Sequence, residues 1–92
     1  MSRGFSSKPK IALYAGSFDP PSSGHLDIIS RAKDIADKVI IGIAINPMKQ
    51  PIFSFEERKH LLEKITFNCK RIEVKKVEGL LADFIQDNDI SF

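Results

Sequence analysis

The amino-acid sequence predicts an α/β fold in which helices cover a parallel sheet. Short apolar segments typical of buried strands alternate along the chain with segments whose apolar residues recur at helical spacing. Serines of the helix-capping type precede the first two helical segments. Strands that alternate with helices form parallel sheets through right-handed crossovers, so these observations define the class. A chain of 92 residues, 42% hydrophobic and 28% charged, fits one small globular domain.

The first strand and helix are joined by an unusually polar loop. Residues 11–15 (IALYA) form a short apolar run, as in a buried strand. Residues 16–24 (GSFDPPSSG) are mostly turn-forming residues and predict a loop. A helix is predicted from His25 onward, because the apolar residues after it lie on one helical face. That face consists of Ile28, Ile29, Ala32, Ile35 and Ala36.

Capping signals precede the first and second helices. Ser22 or Ser23 can cap the first helix, because a hydroxyl oxygen accepts an unpaired N–H of the first turn. We expect Asp27 in that same turn, where a carboxylate suits the positive end of the helix dipole. Ser54 and Glu57 have the spacing of a capping box, which predicts the start of the second helix.

The rest of the chain continues the alternation of strands and helices. Residues 39–45 (VIIGIAI) are apolar on both faces, which is typical of a central strand in a parallel sheet. Residues 71–77 alternate at first, as in an edge strand. Ile90 and Phe92 resemble the opening of a fourth strand. The apolar residues of the second and third helices are Leu61, Leu62, Ile65, Leu80, Leu81, Phe84 and Ile85.

Composition excludes several classes of function. With 14 basic and 12 acidic residues the net charge is +2, too mild for a nucleic-acid-binding domain. No apolar run approaches the roughly 18–20 residues that cross a bilayer, so no membrane partner is predicted. The single cysteine, Cys69, cannot form an internal disulfide, which favours a reducing, cytoplasmic location. Residues 1–9 are predicted to be a flexible leader.

The loop after the first strand is the candidate site. In an open α/β sheet, ligands bind at the carboxyl ends of the strands, and a helix that begins there offers N–H groups to an anion. Gly24 permits close approach of a phosphate, and His25 can donate a hydrogen bond to it. A turn with an incidental histidine explains the same residues. The glycine spacing matches neither a P-loop nor a dinucleotide-binding fingerprint.

Three blocks of sequence add a resemblance to a known family. GSFDPPSSGHLDII, VIIGIAINPMKQPIFSFEER and VEGLLADF occur in the order found in bacterial phosphopantetheine adenylyltransferases. These belong to the nucleotidyltransferase superfamily, which carries a T/H-x-G-H motif; here Ser22 replaces the usual threonine. The resemblance implies a Rossmann-like parallel sheet of the nucleotidyltransferase type with strand order 3-2-1-4-5. Residues 10–92 are then expected to be the N-terminal part of one nucleotidyltransferase domain, truncated after the third helix.

The resemblance also implies a reaction and a set of site residues. The family transfers AMP from ATP to 4′-phosphopantetheine by direct in-line attack, giving dephospho-CoA and pyrophosphate, and Mg²⁺ accompanies the ATP. His25 matches the catalytic histidine, which also contacts ATP. Ser17 matches a residue that contacts both substrates, and Phe18 one that contacts ATP. Lys49 matches the lysine that binds the acceptor phosphate, and Leu81 a residue lining the pantetheine arm. No metal-ligating residue is implied.

Simpler interpretations of these residues remain open. Ser17 can be a turn hydroxyl, and Asp19 is expected to form an Asx-type turn within its own loop. Lys49 can be a solvated loop lysine, and Leu80 and Leu81 are expected to be core residues.

The family pattern continues beyond Phe92, and this carries further expectations. The R-G-L-R segment, an acidic residue for the ribose and a late I-S-S loop are missing, so we expect the 92 residues alone to bind ATP poorly and turn over little. Without a fourth strand, the first strand is expected to be an unpaired edge. A homo-oligomer, a hexamer by family analogy, is expected for the complete protein. The alternatives are another nucleotidyltransferase of the superfamily, or a non-catalytic anion-binding or interaction fragment.

Overall fold

The computed structural model describes residues 9–45 and 48–92, and it has the predicted alternation of strands and helices. Three parallel strands, arranged in the order β1-β2-β3, form one sheet. The strands are β1 (Ile11–Gly16), β2 (Lys38–Ala44) and β3 (Ile72–Val77), and the helices are α1 (Ser23–Ile35), α2 (Phe55–Thr66) and α3 (Leu81–Asp87). The α/β class, the parallel sheet and the central position of β2 are confirmed. Of the predicted leader, residues 1–8 lie outside the described residues.

The core lies on both sides of β2. Val39 to Ile43 are all buried, as expected for a strand that is covered on two faces. Alternate residues point to opposite faces, and Ile41 packs in one cluster with Ile29 of α1 and Leu62 of α2. The opposite face carries Lys75, whose Nζ donates a 2.6 Å hydrogen bond to Oδ1 of Asn88 at the end of α3. Two helices therefore cover one face, and α3 lies on the other.

The helix starts follow their capping residues. Ser22 caps α1, which begins at Ser23 rather than at His25, and Ser54 caps α2 through the predicted capping box. The prediction for Asp27 is wrong, because the earlier start moves this residue beyond the first turn, which has no acidic residue. Asp27 instead forms an ion pair with Arg31, at 3.2 Å, one turn further along α1.

The last residues correct the expectation that β1 has an unpaired edge. The Ser91 N–H donates to the Ile11 carbonyl at 2.7 Å, and the Leu13 N–H donates to the Phe92 carbonyl at 2.9 Å. The Phe92 N–H also reaches the Ile11 carbonyl, at 3.3 Å, which is the pattern of a parallel pair opposite Ala12. Residues 91 and 92, which the sequence predicts to open a fourth strand, thus hydrogen-bond to β1 without forming a strand among the described residues, and they lie beside β1 on the side away from β2.

Helix α3 packs less closely than the other two helices. None of its residues is buried, and Leu80 and Leu81 are 70% and 48% exposed. The prediction that these leucines are core residues is therefore wrong. No helix among the described residues has both the length and the apolar character needed to cross a bilayer.

Candidate functional site

Two loops meet at the carboxyl ends of β1 and β2. The Asp19 carboxylate, in the loop after β1, accepts hydrogen bonds from the Ile52 N–H at 2.7 Å and the Phe53 N–H at 2.8 Å. The predicted Asx-type turn is therefore wrong, since the carboxylate bonds to the loop before α2 rather than to its own loop. This contact ties the two predicted site segments together.

A cavity of about 420 Å³ lies between the two loops. This volume is in the range of about 300–1,000 Å³ that is typical of small-molecule sites. Its lining residues are Ser17, Asp19, Ala44, Ile45, Lys49, Gln50, Pro51 and Arg58. Ser17 and Lys49, which the sequence placed in one site, thus lie on the walls of one cavity.

Arg58 of α2 is a wall residue that the sequence reasoning missed. Its side chain is 5% exposed, and its guanidinium donates to two backbone carbonyls. Nε reaches the Ser54 carbonyl at 3.2 Å, and one terminal nitrogen reaches the Ser17 carbonyl at 2.9 Å. Arg58 therefore joins the start of α2 to the loop that carries Ser17. The local sequence shows a basic residue one turn after a cap, with no sign that it is buried.

His25 occupies the third position of α1 and completes its capping box. The Ser22 N–H donates to Nδ1 of His25 at 2.9 Å, while the His25 N–H donates to the Ser22 hydroxyl at 3.4 Å. A ring nitrogen that accepts a hydrogen bond carries no proton, so the proton of the neutral ring lies on Nε2. His25 is therefore set up as a hydrogen-bond donor through Nε2, which suits an anionic oxygen.

The Phe18 ring packs against the imidazole of His25. Its side chain is fully buried, and its ring centroid lies 4.7 Å from that of His25 and 5.3 Å from that of Tyr14. Its φ of 50° is in the left-handed region, where a side chain other than glycine is uncommon. Since the ring belongs to the core, only the backbone of Phe18 is available for the predicted contact with ATP.

The predicted site residues fall into three places along the same edge of the sheet. Ser17 and Lys49 share the cavity, while His25 is outside its described lining and is connected to it through the adjacent pair Ser17 and Phe18. Leu81 is the first residue of α3, which follows β3 and therefore begins at the carboxyl edge as well. The structure thus brings Ser17 and Lys49 together and places His25 next to them, but it leaves Leu81 apart.

The described residues offer no metal site of their own. Within residues 9–45 and 48–92 there is no group of three or more His, Cys, Asp or Glu side chains placed to hold an ion. Asp19, the carboxylate on the cavity wall, already accepts two backbone hydrogen bonds.

A basic cavity beside a histidine-bearing helix start, at the carboxyl edge of a parallel sheet in the order 3-2-1, is characteristic of a Rossmann-like nucleotidyltransferase. The family model described as cytidylyltransferase-like matches residues 13–92, and the chain belongs to this family. A solved bifunctional NMN adenylyltransferase/ADP ribose pyrophosphatase from Francisella tularensis, complexed with AMP and a manganese ion, has the same fold. Its TM-score is 0.66 at 27% identity, over 88% of this chain and 26% of that one.

Curated relatives are more similar in sequence. A protein named phosphopantetheine adenylyltransferase from Clostridium tetani is 48% identical over 80 residues, which cover 87% of this chain and 50% of that protein. A Clostridium botulinum protein of the same name is 49% identical over 77 residues, covering 84% and 48%. One from Natranaerobius thermophilus is 45% identical over 82 residues, covering 89% and 51%. The chain thus spans about half the length of the relatives that it matches.

Proposed function

We propose that the protein transfers AMP from ATP to 4′-phosphopantetheine, giving dephospho-CoA and pyrophosphate, a step in coenzyme A synthesis. The observation that carries the proposal is the shared cavity of Ser17 and Lys49, with His25 beside it at the start of α1. The names of the relatives at 45–49% identity supply the choice of acceptor.

The reaction needs two negatively charged groups to be held close together. The Lys49 ammonium and the Ser17 hydroxyl bind the acceptor phosphate in the cavity, where the positive charge offsets repulsion from ATP. An oxygen of that phosphate attacks the α-phosphorus of ATP, a new P–O bond forms, and the bond to the β-phosphate oxygen breaks. Pyrophosphate is the leaving group, and Mg²⁺ bound to the ATP would offset part of its negative charge. No covalent enzyme intermediate is involved.

His25 acts on the charge that builds up during this transfer. Its Nε2–H donates to a non-bridging oxygen of the α-phosphate, and the bond strengthens as negative charge develops there. The Ser22 N–H fixes the ring from the other side, so no reorientation is needed in the transition state. The Phe18 backbone contributes to the ATP site, and Leu81 contacts the pantetheine arm.

The partners and location follow from the same proposal. ATP and 4′-phosphopantetheine are the small-molecule partners, with no nucleic acid and no membrane. We place the protein in the cytoplasm and expect a homo-oligomer, a hexamer, for the complete protein.

Separate binding titrations test the proposal. Calorimetry should detect binding of 4′-phosphopantetheine to the wild type. Lys49→Ala should lower the affinity by about tenfold, because a charge-assisted contact is lost. Lys64→Ala, on the part of α2 outside the cavity lining, is the matched control and should bind as the wild type does. Titration with ATP, alone and with 4′-phosphopantetheine present, measures binding at the nucleotide site.

The same experiment separates the alternatives. If Lys49→Ala left the affinity for 4′-phosphopantetheine unchanged, the cavity would not be the binding site of the acceptor. Nicotinamide mononucleotide is the competing acceptor to include, because the solved structural neighbour is named as an NMN adenylyltransferase. Binding of that nucleotide in place of 4′-phosphopantetheine would change the substrate assignment, and binding of neither ligand would favour an interaction fragment.

A further inference from the structure

The Arg58 guanidinium is a buried positive charge on the wall of the cavity. It is 5% exposed, and it lies in the same lining as Lys49. A buried charge is costly unless it is paired, and arginine carries five N–H donors. Two of these are accounted for by the carbonyls of Ser17 and Ser54. The other three donors have no acceptor among the described residues, and Arg58 is part of the cavity lining.

No acidic side chain among the described residues forms a direct ion pair with Arg58. The ion pairs of the described chain involve other residues, and none includes Arg58. The carboxylate of the same cavity, Asp19, is used by the N–H groups of Ile52 and Phe53. Arg58 therefore has no direct ion-pair partner among the described residues, and an anion bound in the cavity would supply one.

We propose that Arg58 is a second anion-binding residue of this cavity and that it binds a phosphate monoester together with Lys49. The inference rests on the proposed function for the identity of that monoester, the acceptor phosphate. The planar guanidinium can donate two parallel hydrogen bonds to phosphate oxygens, while an ammonium acts as a point charge. Lys49 attracts the phosphate from an exposed loop, and Arg58 orients it from a buried and fixed position.

The hydrogen bond from Arg58 to the Ser17 carbonyl also positions the loop after β1. This bond fixes the backbone of a residue that also lines the cavity. An anion bound by Arg58 is thereby held at a set distance from the loop that leads through Phe18 to His25. The reacting phosphate is positioned relative to the imidazole through this connection.

Inorganic phosphate is the probe for the first experiment, because it needs neither ATP nor the pantetheine arm. In wild-type protein, titration with phosphate should shift the ¹H–¹⁵N signal of the Arg58 Nε group in NMR spectra. Arg31, exposed on α1 and paired with Asp27, is the matched control whose Nε signal should stay in place. An unchanged Arg58 signal at saturating phosphate would overturn the proposal, and no variant is needed for this measurement.

Two substitutions extend the test to affinity. Arg58→Met keeps most of the length of the side chain and should weaken phosphate binding about tenfold or more. Arg58→Lys keeps the positive charge but loses the two parallel donors of the guanidinium, so it should weaken binding less. Wild-type affinity in a folded Arg58→Met protein would show a purely structural role. Pantetheine without its phosphate should bind all three proteins equally.

The outcomes also separate this inference from the proposed function. In a full-length protein that carries this chain, a phosphate-induced shift of the Arg58 signal without transfer of AMP to 4′-phosphopantetheine would mean that the anion site stands and the reaction is wrong. If AMP is transferred and Arg58→Met leaves the KM for 4′-phosphopantetheine unchanged, the reaction stands and the role of Arg58 is wrong.

Discussion

His25 combines a structural and a chemical role, and two substitutions can separate them. Its Nδ1 accepts the Ser22 N–H in the capping box, which leaves Nε2 as a donor. Gln at the third helix position can complete a capping box as well, so His25→Gln keeps the helix start and removes the imidazole. His25→Ala removes both, at a cost of about 1 kcal/mol in stability.

We therefore predict the same loss of activity but different stabilities for the two variants. In a full-length protein that carries this chain, kcat should fall about 10²–10³-fold in both, which is typical for one lost transition-state donor. Thermal unfolding should show wild-type stability for His25→Gln and a lower melting temperature for His25→Ala. A His25→Gln enzyme with wild-type kcat would rule out the proposed role of the imidazole.

The residues that could be predicted are those whose partners are close in sequence. Ser22 lies three positions before His25, and the sequence indicated a cap at Ser22 or Ser23, although it did not indicate the hydrogen bond from the Ser22 N–H to the imidazole. Arg58 and Asp19 bond to residues 41 and 33 positions away, and no local pattern indicates such contacts. Both look like ordinary exposed charges in the sequence, and only the fold shows that they build the cavity.

At the scale of the elements, Gly42 allows the side chains of Leu13 in β1 and Val77 in β3 to lie close to β2. A Cβ atom at this position would lie 2.6 Å from Cγ2 of Val77 and 3.1 Å from Cδ1 of Leu13. Gly42→Ala should therefore destabilise the fold by about 1–3 kcal/mol through overpacking, as measured by urea unfolding. Gly24→Ala is the matched control for stability, because its nearest neighbour would be 3.7 Å away. Equal stability of both variants would contradict the close packing around β2.

The pair Lys38 and Glu73 joins β2 to β3 and makes stability depend on pH. A hydrogen bond from Lys38 at 2.7 Å, helped by Lys75 and opposed by partial burial, lowers the pKa of Glu73 below its ordinary value of 4.5. A lowered pKa in the folded state stabilises the protein above the unfolded-state pKa, and this contribution is lost as the pH falls through the folded-state pKa. Both side chains are partly exposed, so we expect less than about 1 kcal/mol.

Unfolding of Glu73→Gln across a range of pH tests this contribution. The variant should be less stable than the wild type at pH 7, and the difference should disappear in acid below the pKa of folded Glu73. In a Lys38→Met background the substitution should have a smaller effect, since its main partner is gone. A difference that stays constant down to strong acid would contradict the pairing.

The elements themselves were largely predictable, because they depend on local periodicity and caps. Both helix starts follow serines whose spacing to the third helix residue is visible in the sequence, although α1 begins two residues early. The exposure of Leu80 and Leu81 was not predictable in this way. An apolar residue at helical spacing marks a face, but the pattern does not say whether another element covers that face.

At the scale of the whole molecule, the order of the strands determines which helix covers which face. Right-handed crossovers from β1 to β2 and from β2 to β3 run in the same direction, so α1 and α2 lie on one face. After β3 the chain crosses back over β2 and β1 to reach the outer side of β1. A right-handed connection in this direction puts α3 on the opposite face of the sheet. The 2.6 Å bond between Lys75 and Asn88 agrees with that placement. All three strands consequently end at the edge that holds the cavity.

The return of the chain to β1 gives the last prediction. The Leu13 N–H donates to the Phe92 carbonyl at 2.9 Å, which protects this amide although β1 has no assigned fourth strand beside it. Removing Ser91 and Phe92 should speed hydrogen exchange at Leu13 by about fivefold or more, since a net hydrogen bond of about 1 kcal/mol is lost. The Val39 amide, which donates to the Arg71 carbonyl, is the control and should exchange at an unchanged rate. Equal protection of Leu13 in both proteins would mean that the contact between the chain end and β1 does not persist in solution, and β1 would then have the unpaired edge expected from the sequence.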